Sequence, residues 1–503
     1  MKFLVMKKFF LFFTAVVSIT IIGCKKDFLD INTNPNAATS AGPDLVLPAA
    51  LVNTASRLNP MDRGLGSVMN GWMGYWAISG SYAISSIDFT TYKQTTDFGD
   101  VLFQSAYHNL NDYNYVEQQA KTQGNNFFIA AAKIMKAYNF QILVDLFNNV
   151  PYTEAFQGTT VIHPKYDDAK SIYEDLIKQC DTAVTLMKRS DASALATSDV
   201  LFGGNAAKWR RFGNTLKLRI LMRQTQIAGR TAYIQAEVAK IIAEGSGFLG
   251  DGEDAGVNPG YLNSSGKQNP FYASNYNVTG TYTNDYFRAN QFSINFYKNN
   301  NDPRLTQVYA GTPSDATKYQ GNSIGQIAGL VGSNSSVFGP GVVKSFSQSA
   351  VIMLAAESYF LQAEAALRGL PTGTAQTLYQ KGITESFRYL AVPGYAAAAT
   401  AYYSQSGNTN TNWSLASGFN EQLALIIRQK WAAMNSITPK EAYDDYRRLG
   451  LPSDIPLSVS PYVDQKAIPY RLLYPTSEYS NNAENVSAQG TINHHTSKIF
   501  WMP

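Results

Sequence analysis

The sequence predicts a mainly α-helical protein, and three observations carry that expectation. Apolar side chains recur at helical spacing in long stretches across most of the 503 residues. The strict alternation of a large half-buried sheet is sustained nowhere. Helices also come in pairs joined by brief turns, the form taken by helix–turn–helix repeats. The pair at residues 351–368 and 374–389, joined by Gly369-Leu370-Pro371, fits a tetratricopeptide-like unit loosely.

In chain order, Asp44 is placed to cap a first helix running to about Arg57, with Leu45, Leu47, Ala50 and Leu51 on one face. An aromatic cluster follows, Gly71-Trp72-Met73-Gly74-Tyr75-Trp76, continuing to Tyr82 and Tyr92. Helical spacing returns over residues 99–121 and 126–147, the second run closing at Asn148-Asn149-Val150-Pro151. Asp167 or Asp168 caps a helix over 169–189, and Asn205 introduces another reaching about Gln226. A further helix runs from about Tyr233 to Glu244. Residues 245–349 then lose periodicity and turn to Gly, Asn, Ser and Tyr, with one short helix near 285–298. So long an irregular insertion is usually functional. Helices resume at 351–368, 374–389, 419–434 and 440–448, and the tail from Leu451 reads as an ordered coat of loops.

The first 23 residues stand apart. Lys2, Lys7 and Lys8 precede an apolar run from Phe9 to Ile22, shorter than the roughly 20 residues that span a bilayer. That is the secretory pattern, to be excluded from the fold. Ile21-Ile22-Gly23-Cys24 resembles the lipobox of bacterial lipoproteins, in which the cysteine is acylated and becomes the mature N-terminus. Only two cysteines exist, Cys24 and Cys180, and one falls at the end of the apolar run. Several acyl chains at about 0.8 kcal/mol per buried CH₂ make a stable anchor. Cys180 then reads as a small buried hydrophobe on a helix, and no disulfide framework exists.

Composition narrows the function. Removing the three leader lysines from 41 basic residues leaves 38 against 37 acidic ones, a charge of +1. That argues against an electrostatic nucleic-acid binder. The length would accommodate two or three domains. A near-neutral chain rich in Asn, Ser, Thr, Gly and Tyr suits uncharged polar ligands.

Enzymatic motifs fail on context. Gly321-Asn322-Ser323-Ile324-Gly325 matches G-x-S-x-G without the strand and helix that a nucleophile elbow needs. Gly245-Ser246-Gly247-Phe248-Leu249-Gly250 matches G-x-G-x-x-G but follows a helix rather than a strand. His494 and His495 are adjacent, and neighbouring side chains point apart on a strand or helix, so no metal site is expected. Asp251, Glu253 and Asp254 read as solvated acids, since Leu262 stands where an EF-hand would place its Glu. No cofactor is expected, with a structural calcium ion the one opening left.

Across the mature chain the residues resemble the SusD/RagB-like outer-membrane lipoproteins of Bacteroidetes. The resemblance rests on residues 27–36, beginning Asp27-Phe28-Leu29-Asp30, and on Asp145-Leu146-Phe147-Asn148-Asn149-Val150-Pro151 extending to Ala155. It continues through residues 208–219, Asp302-Pro303-Arg304-Leu305, residues 356–365, Gln429-Lys430-Trp431, residues 441–448, Ile468-Pro469-Tyr470-Arg471 and Tyr474-Pro475. The family implies a SusD-like fold: tetratricopeptide-like helix pairs in a right-handed superhelical scaffold, with a loop-rich ligand-binding half. Residues 24–43 would be a lipidated tether and residues 44–503 a single domain carrying the irregular insertion. The resemblance also implies a partner, a TonB-dependent (SusC-like) outer-membrane transporter over which the lipoprotein sits as a lid facing the cell exterior. It implies capture of oligosaccharides, or in some relatives peptides, without catalysis.

Within the resembling blocks, Lys217, Arg219, Arg447 and Arg448 read as ion-pair partners of acids such as Asp444 and Asp445 rather than as an anion site. Trp209 and Trp431 read as core. A glycan site needs flat aromatic faces with amides and hydroxyls at their edges. Two stretches offer that mixture: Trp72, Tyr75, Trp76 and Tyr82, spaced by Gly71, Gly74 and Gly80; and Asn269, Phe271, Tyr272, Tyr276, Tyr282 and Tyr286. For any one of these aromatics, packing beneath loops is at least as good a reading as ligand contact. A surface hydrolase is the competing functional class, for which no carboxylate pair or activated nucleophile stands in convincing context.

Overall fold

A computed structural model describes residues 41–62, 65–83, 87–190 and 197–503. The apolar leader, Cys24, the tether and the 27–36 block fall outside the described residues, apart from the tether's last residues. Asn125 begins the best-defined helix, its side chain accepting from the backbone N–H groups of Phe127 and Phe128. Asp168 and Asn205 start two others in the same way, through Ser171 and Lys208. Apolar faces then drive pairing.

The helical elements are α1 (Pro43–Arg57), α2 (Gly66–Trp72), α3 (Ile87–Thr91), α4 (Asp100–Gln123), α5 (Asn126–Phe147), α6 (Ala169–Lys188), α7 (Ala206–Arg223) and α8 (Thr231–Glu244). After the insertion's short α9 (Pro270–Ala273), α10 (Gln291–Asn299) and α11 (Leu305–Val308) come α12 (Ala355–Leu367), α13 (Ala375–Tyr389) and α14 (Tyr395–Tyr403). The chain closes with α15 (Gly418–Met434), α16 (Pro439–Leu449), α17 (Thr476–Asn481) and α18 (Ala483–Ser487). Sequence neighbours α4 to α7 pack one on the next, as do α12, α13 and α14, while α15 lies on α12 and α7 joins the two groups through α12. These are tetratricopeptide-like helix pairs, and Pro43–Pro503 make one compact unit. By length and composition α5 would pass for a membrane span, but it is a core helix, with 89% of its apolar window buried.

Small antiparallel pairings tie the irregular half to the helices. Strand β1 (Trp76–Ile78) pairs with β5 (Phe287–Ala289), β2 (Val150–Pro151) with β3 (Tyr166–Asp167), and β4 (Ala255–Val257) with β6 (Ala350–Met353).

Several elements differ from expectation for identifiable reasons. Helix α1 starts at Pro43, so Asp44 lies inside the first turn and Leu45 points to solvent, 69% exposed. Residues 351–353 leave the expected helix because this stretch, with β-branched Val351 and Ile352, extends along β4, where Val351 pairs with Gly256 and Met353 with Ala255. Helix α14 was not foreseen, since its run of alanines offers no apolar stripe. The glycines of the first aromatic stretch serve close packing as much as looping: Gly71 lies within α2, where a Cβ would meet the Phe89 ring at 2.3 Å.

The helices enclose a charged cluster. Arg219, Arg223, Lys430, Lys440, Arg447 and Arg448 meet Asp145, Glu357, Glu364, Glu441, Asp444 and Asp445, six cations against six carboxylates, all buried. Arg219 grips Glu357 in a two-point contact at 2.8 and 3.0 Å, and Arg448 holds Glu364 at 2.6 and 2.7 Å. Burial pushes the Glu364 carboxyl up, but the Arg448 guanidinium overrides it and holds the pKa down to about 2. Lys217 is likewise spent on Asp181 and Glu237. These basic residues build structure, as the sequence suggested, and Trp209 and Trp431 are buried packing residues.

Candidate functional site

Strand β1 brings the two candidate aromatic stretches together. Trp76 pairs in register with Ala289, and its ring packs on Phe271, Phe287 and Phe338 with centroids 6.2, 5.3 and 4.5 Å away. Its indole N–H donates to Ser436 Oγ at 2.7 Å. Tyr75 donates its hydroxyl to the Trp431 carbonyl at 2.7 Å. Trp72 wedges between Tyr92 and Tyr443.

Trp72, Tyr75 and Trp76 are each 0% exposed. Their expected role as stacking surfaces for a ligand is therefore corrected: with no face open to solvent, they are core. The reason is steric and topological, because α2 packs on α16 and β1 is clamped by β5. Tyr92, also buried, accepts a hydrogen bond from the Ser458 amide on its hydroxyl oxygen.

Above that buried layer lie the remaining candidates. Tyr82 is 43% exposed and meets Tyr286 edge-on at 5.1 Å. Tyr272 and Tyr276 are half-buried and stacked at 5.1 Å with their planes 20° apart. Tyr282 stands edge-on to Tyr276 at 5.1 Å and faces the Arg288 guanidinium. Burial pushes the Tyr282 and Tyr276 phenols upward, so both stay protonated donors at neutral pH. The supports are continuous: Phe271 precedes Tyr272, and Phe287 follows Tyr286 and lies 4.8 Å from its ring.

Asparagines set this backbone. Asn269 caps α9 by accepting from Phe271 and Tyr272. Asn277 accepts from the backbone of Thr279 and Thr281, closing the turn on which Tyr276 and Tyr282 bridge. Asn284 accepts from Tyr286 and Phe287 and donates to Asn275. Arg288 binds Asp285 and the carbonyls of Asn284 and Gly332, fixing the next turn. The result is a set of aromatic faces held rigidly, with Asp285, Asn277, Thr279 and Thr281 around them as hydrogen-bonding groups. Phe338, Arg288 and Asp285 were missed in the sequence, where nothing local signals that β5 comes to lie beside β1.

Two clefts elsewhere are chemically different. One of about 420 Å³ is lined by Thr409, Asn410, Leu415, Glu421, Arg428 and Pro452 and carries no aromatic face. Another of about 250 Å³ holds Lys121, Lys133 and Lys136 around Glu117, beside Tyr152 and Phe156. Burial raises the Glu117 carboxyl, yet those lysines hold it down to about 2, and three lysines against one carboxylate leave this cleft with a net positive charge.

The two catalytic-motif matches lack the secondary structure that their motifs need. Ser323 lies in a loop with neither strand before it nor helix after it, and Gly245 ends helix α8. The acids considered for calcium have other partners: Asp251 accepts from the Tyr359 hydroxyl, Glu253 binds Arg211 and Asp254 binds Arg388. The two adjacent histidines depart from expectation. His494 and His495 sit in a turn, not a strand or helix, and their rings lie 4.3 Å apart.

Paired helices carry a loop-built surface on which several tyrosines are partly exposed. The chain belongs to the SusD-like family of nutrient-binding outer-membrane proteins, whose profile, described as "Starch-binding associating with outer membrane", matches residues 35–475. Solved structures agree on the fold. A SusD-like protein from Bacteroides thetaiotaomicron VPI-5482 is 22% identical with a TM-score of 0.75, over 92% of this chain and 98% of that one. A SusD homologue from Bacteroides uniformis ATCC 8492 is 23% identical, TM-score 0.75, over 91% and 99%. A chitin-binding SusD homologue from Flavobacterium johnsoniae is 24% identical, TM-score 0.75, over 91% and 98%. No curated protein matches the chain significantly.

Proposed function

We propose that this chain is a non-catalytic binding lipoprotein that captures an oligosaccharide or polysaccharide at the cell surface and delivers it to a TonB-dependent outer-membrane transporter. The observation that carries the reading is a tyrosine set, exposed Tyr82 with half-buried Tyr286 and half-buried Tyr272 with Tyr276, backed by Tyr282, whose hydroxyl is buried, and braced from below by Trp76, Phe271 and Phe287. Sugar rings present C–H faces to such phenols while hydroxyls meet amides and carboxylates at the rim. Aromatics already held in place lose little freedom when a ligand arrives. Family membership and a chitin-binding relative direct the first choice of ligand to neutral glucans and chitin oligosaccharides.

Calorimetric titration with maltooligosaccharides and chitooligosaccharides tests the reading, with a peptide library in parallel. Tyr272→Ala and Tyr276→Ala are each expected to weaken the bound glycan about tenfold, near 1.4 kcal/mol, while the unfolding midpoint shifts by no more than about 1 kcal/mol. Full affinity in both variants sinks the assignment of this surface. Binding of peptides but no glycan replaces the ligand class and keeps the uptake role. Product formation from any polysaccharide overturns the non-catalytic reading.

Anchoring rests on Cys24 following the apolar leader. Expressed in its host, the wild type is expected to incorporate labelled palmitate and fractionate with the outer membrane. Cys24→Ala is expected to do neither; label in that variant removes the anchor from Cys24.

A further inference from the structure

His495 is 4% exposed, and neither of its ring nitrogens has a hydrogen-bond partner among the described residues. His494 is 8% exposed, with its Nε2 equally unpartnered and 3.8 Å from Asp464 Oδ2. Buried polar atoms almost always find partners, and three such nitrogens in one spot call for a reason. One donor atom from each of Asp464, His494 and His495 can be chosen so that all lie within 4.8 Å of one another.

The backbone explains how adjacent histidines converge. Asn493 Oδ1 accepts from the amides of His495 and Thr496 at 2.8 and 3.2 Å, folding a turn in which side chains i and i+1 share a side. Tyr470 donates its amide to the His494 carbonyl at 2.6 Å, and Asp464 donates its amide to the Thr91 carbonyl at 3.0 Å. The Tyr92 backbone carbonyl faces the His494 ring as an acceptor, the arrangement that fixes the tautomer of a metal-binding imidazole and leaves the other nitrogen's lone pair free.

We propose that Asp464, His494 and His495 form a binding site for a divalent transition-metal ion of the zinc type. Two imidazoles and one carboxylate match the donor preference of such ions, whereas calcium and magnesium take oxygen ligands. Bonds of about 2.0–2.2 Å place tetrahedral donors roughly 3.4 Å apart. The His494–Asp464 separation is within a few tenths of an ångström of that, and side-chain rotation closes the rest. Asp464, with a side chain 44% exposed, leaves the site open to entry and to a water as a further ligand. The ion would fasten two separate stretches, around residue 464 and residues 494–495, both of which lean on the backbone of residues 91–92.

The test uses the full chain in detergent without a histidine tag, stripped with EDTA and titrated with zinc chloride. One zinc per chain is expected, unaffected by millimolar calcium or magnesium, and saturating zinc is expected to raise the melting temperature. Asp464→Asn, at a half-exposed position where folding is not at risk, is expected to weaken zinc about 100-fold and abolish the thermal shift. His495→Ala is expected to do the same. Absence of zinc uptake by the wild type, or equal uptake by wild type and Asp464→Asn, overturns the proposal.

Discussion

Trp76→Ala is expected to destabilise the protein by about 3–5 kcal/mol, the usual cost of emptying a buried indole site. The ring is fully enclosed, touches Phe271, Phe287 and Phe338, and donates to Ser436. Its loss leaves a void beneath both tyrosine groups. Urea denaturation followed by tyrosine and tryptophan fluorescence reads the change. Trp76→Phe keeps most of the apolar area and is expected to lose less than half as much. Glycan affinity is expected to fall with Trp76→Ala even where the chain remains folded, since the supports of Tyr272 and Tyr286 relax. A variant as stable as wild type would mean that the indole is not packed as described.

Arg223→Ala is expected to be comparably costly, about 3–5 kcal/mol, because it strands carboxylates in a dry interior. Arg223 contacts Glu441 and, at 2.6 Å, Asp444, with Asp145 and Asp445 at 3.7 and 3.6 Å. Arg223→Met combined with Asp444→Asn restores charge balance, so the double variant is expected to be less destabilised than the two single changes summed. A double-mutant cycle measures that coupling, and simple additivity would refute the cluster's electrostatic unity. The same cluster sets an acid dependence. Glu364 is held below its unfolded pKa, so its contribution is present in full above the ordinary carboxylate range near 4.5 and is lost as pH falls toward about 2. The stability gap between wild type and Glu364→Gln is therefore expected to be widest near neutrality and to shrink between pH 5 and pH 2.

Much of the helical half was legible because periodicity and caps are local signals. Residues 126–147 announce α5 through their apolar spacing, and the Asp167-Asp168 pair and Asn205 announce two more starts. The proposed binding surface was anticipated in the sequence only through its tyrosines. Whether an aromatic faces solvent depends on what the chain later lays over it, and Trp76 is covered by β5, some 210 residues downstream in register with Ala289. The paired histidines failed for a related reason. Their divergence holds on a helix or strand, and only the Asn493 turn defeats it.

The charged cluster has a consequence for how the chain completes itself. Up to residue 429 it holds Asp145, Glu357 and Glu364 against Arg219 and Arg223; beyond it, Lys430, Lys440, Arg447 and Arg448 against Glu441, Asp444 and Asp445. The two sets carry opposite unit imbalances, −1 and +1, and cancel only when joined. The charges contributed by the first 429 residues are therefore balanced only once the C-terminal part of α15 and helix α16 are packed against them.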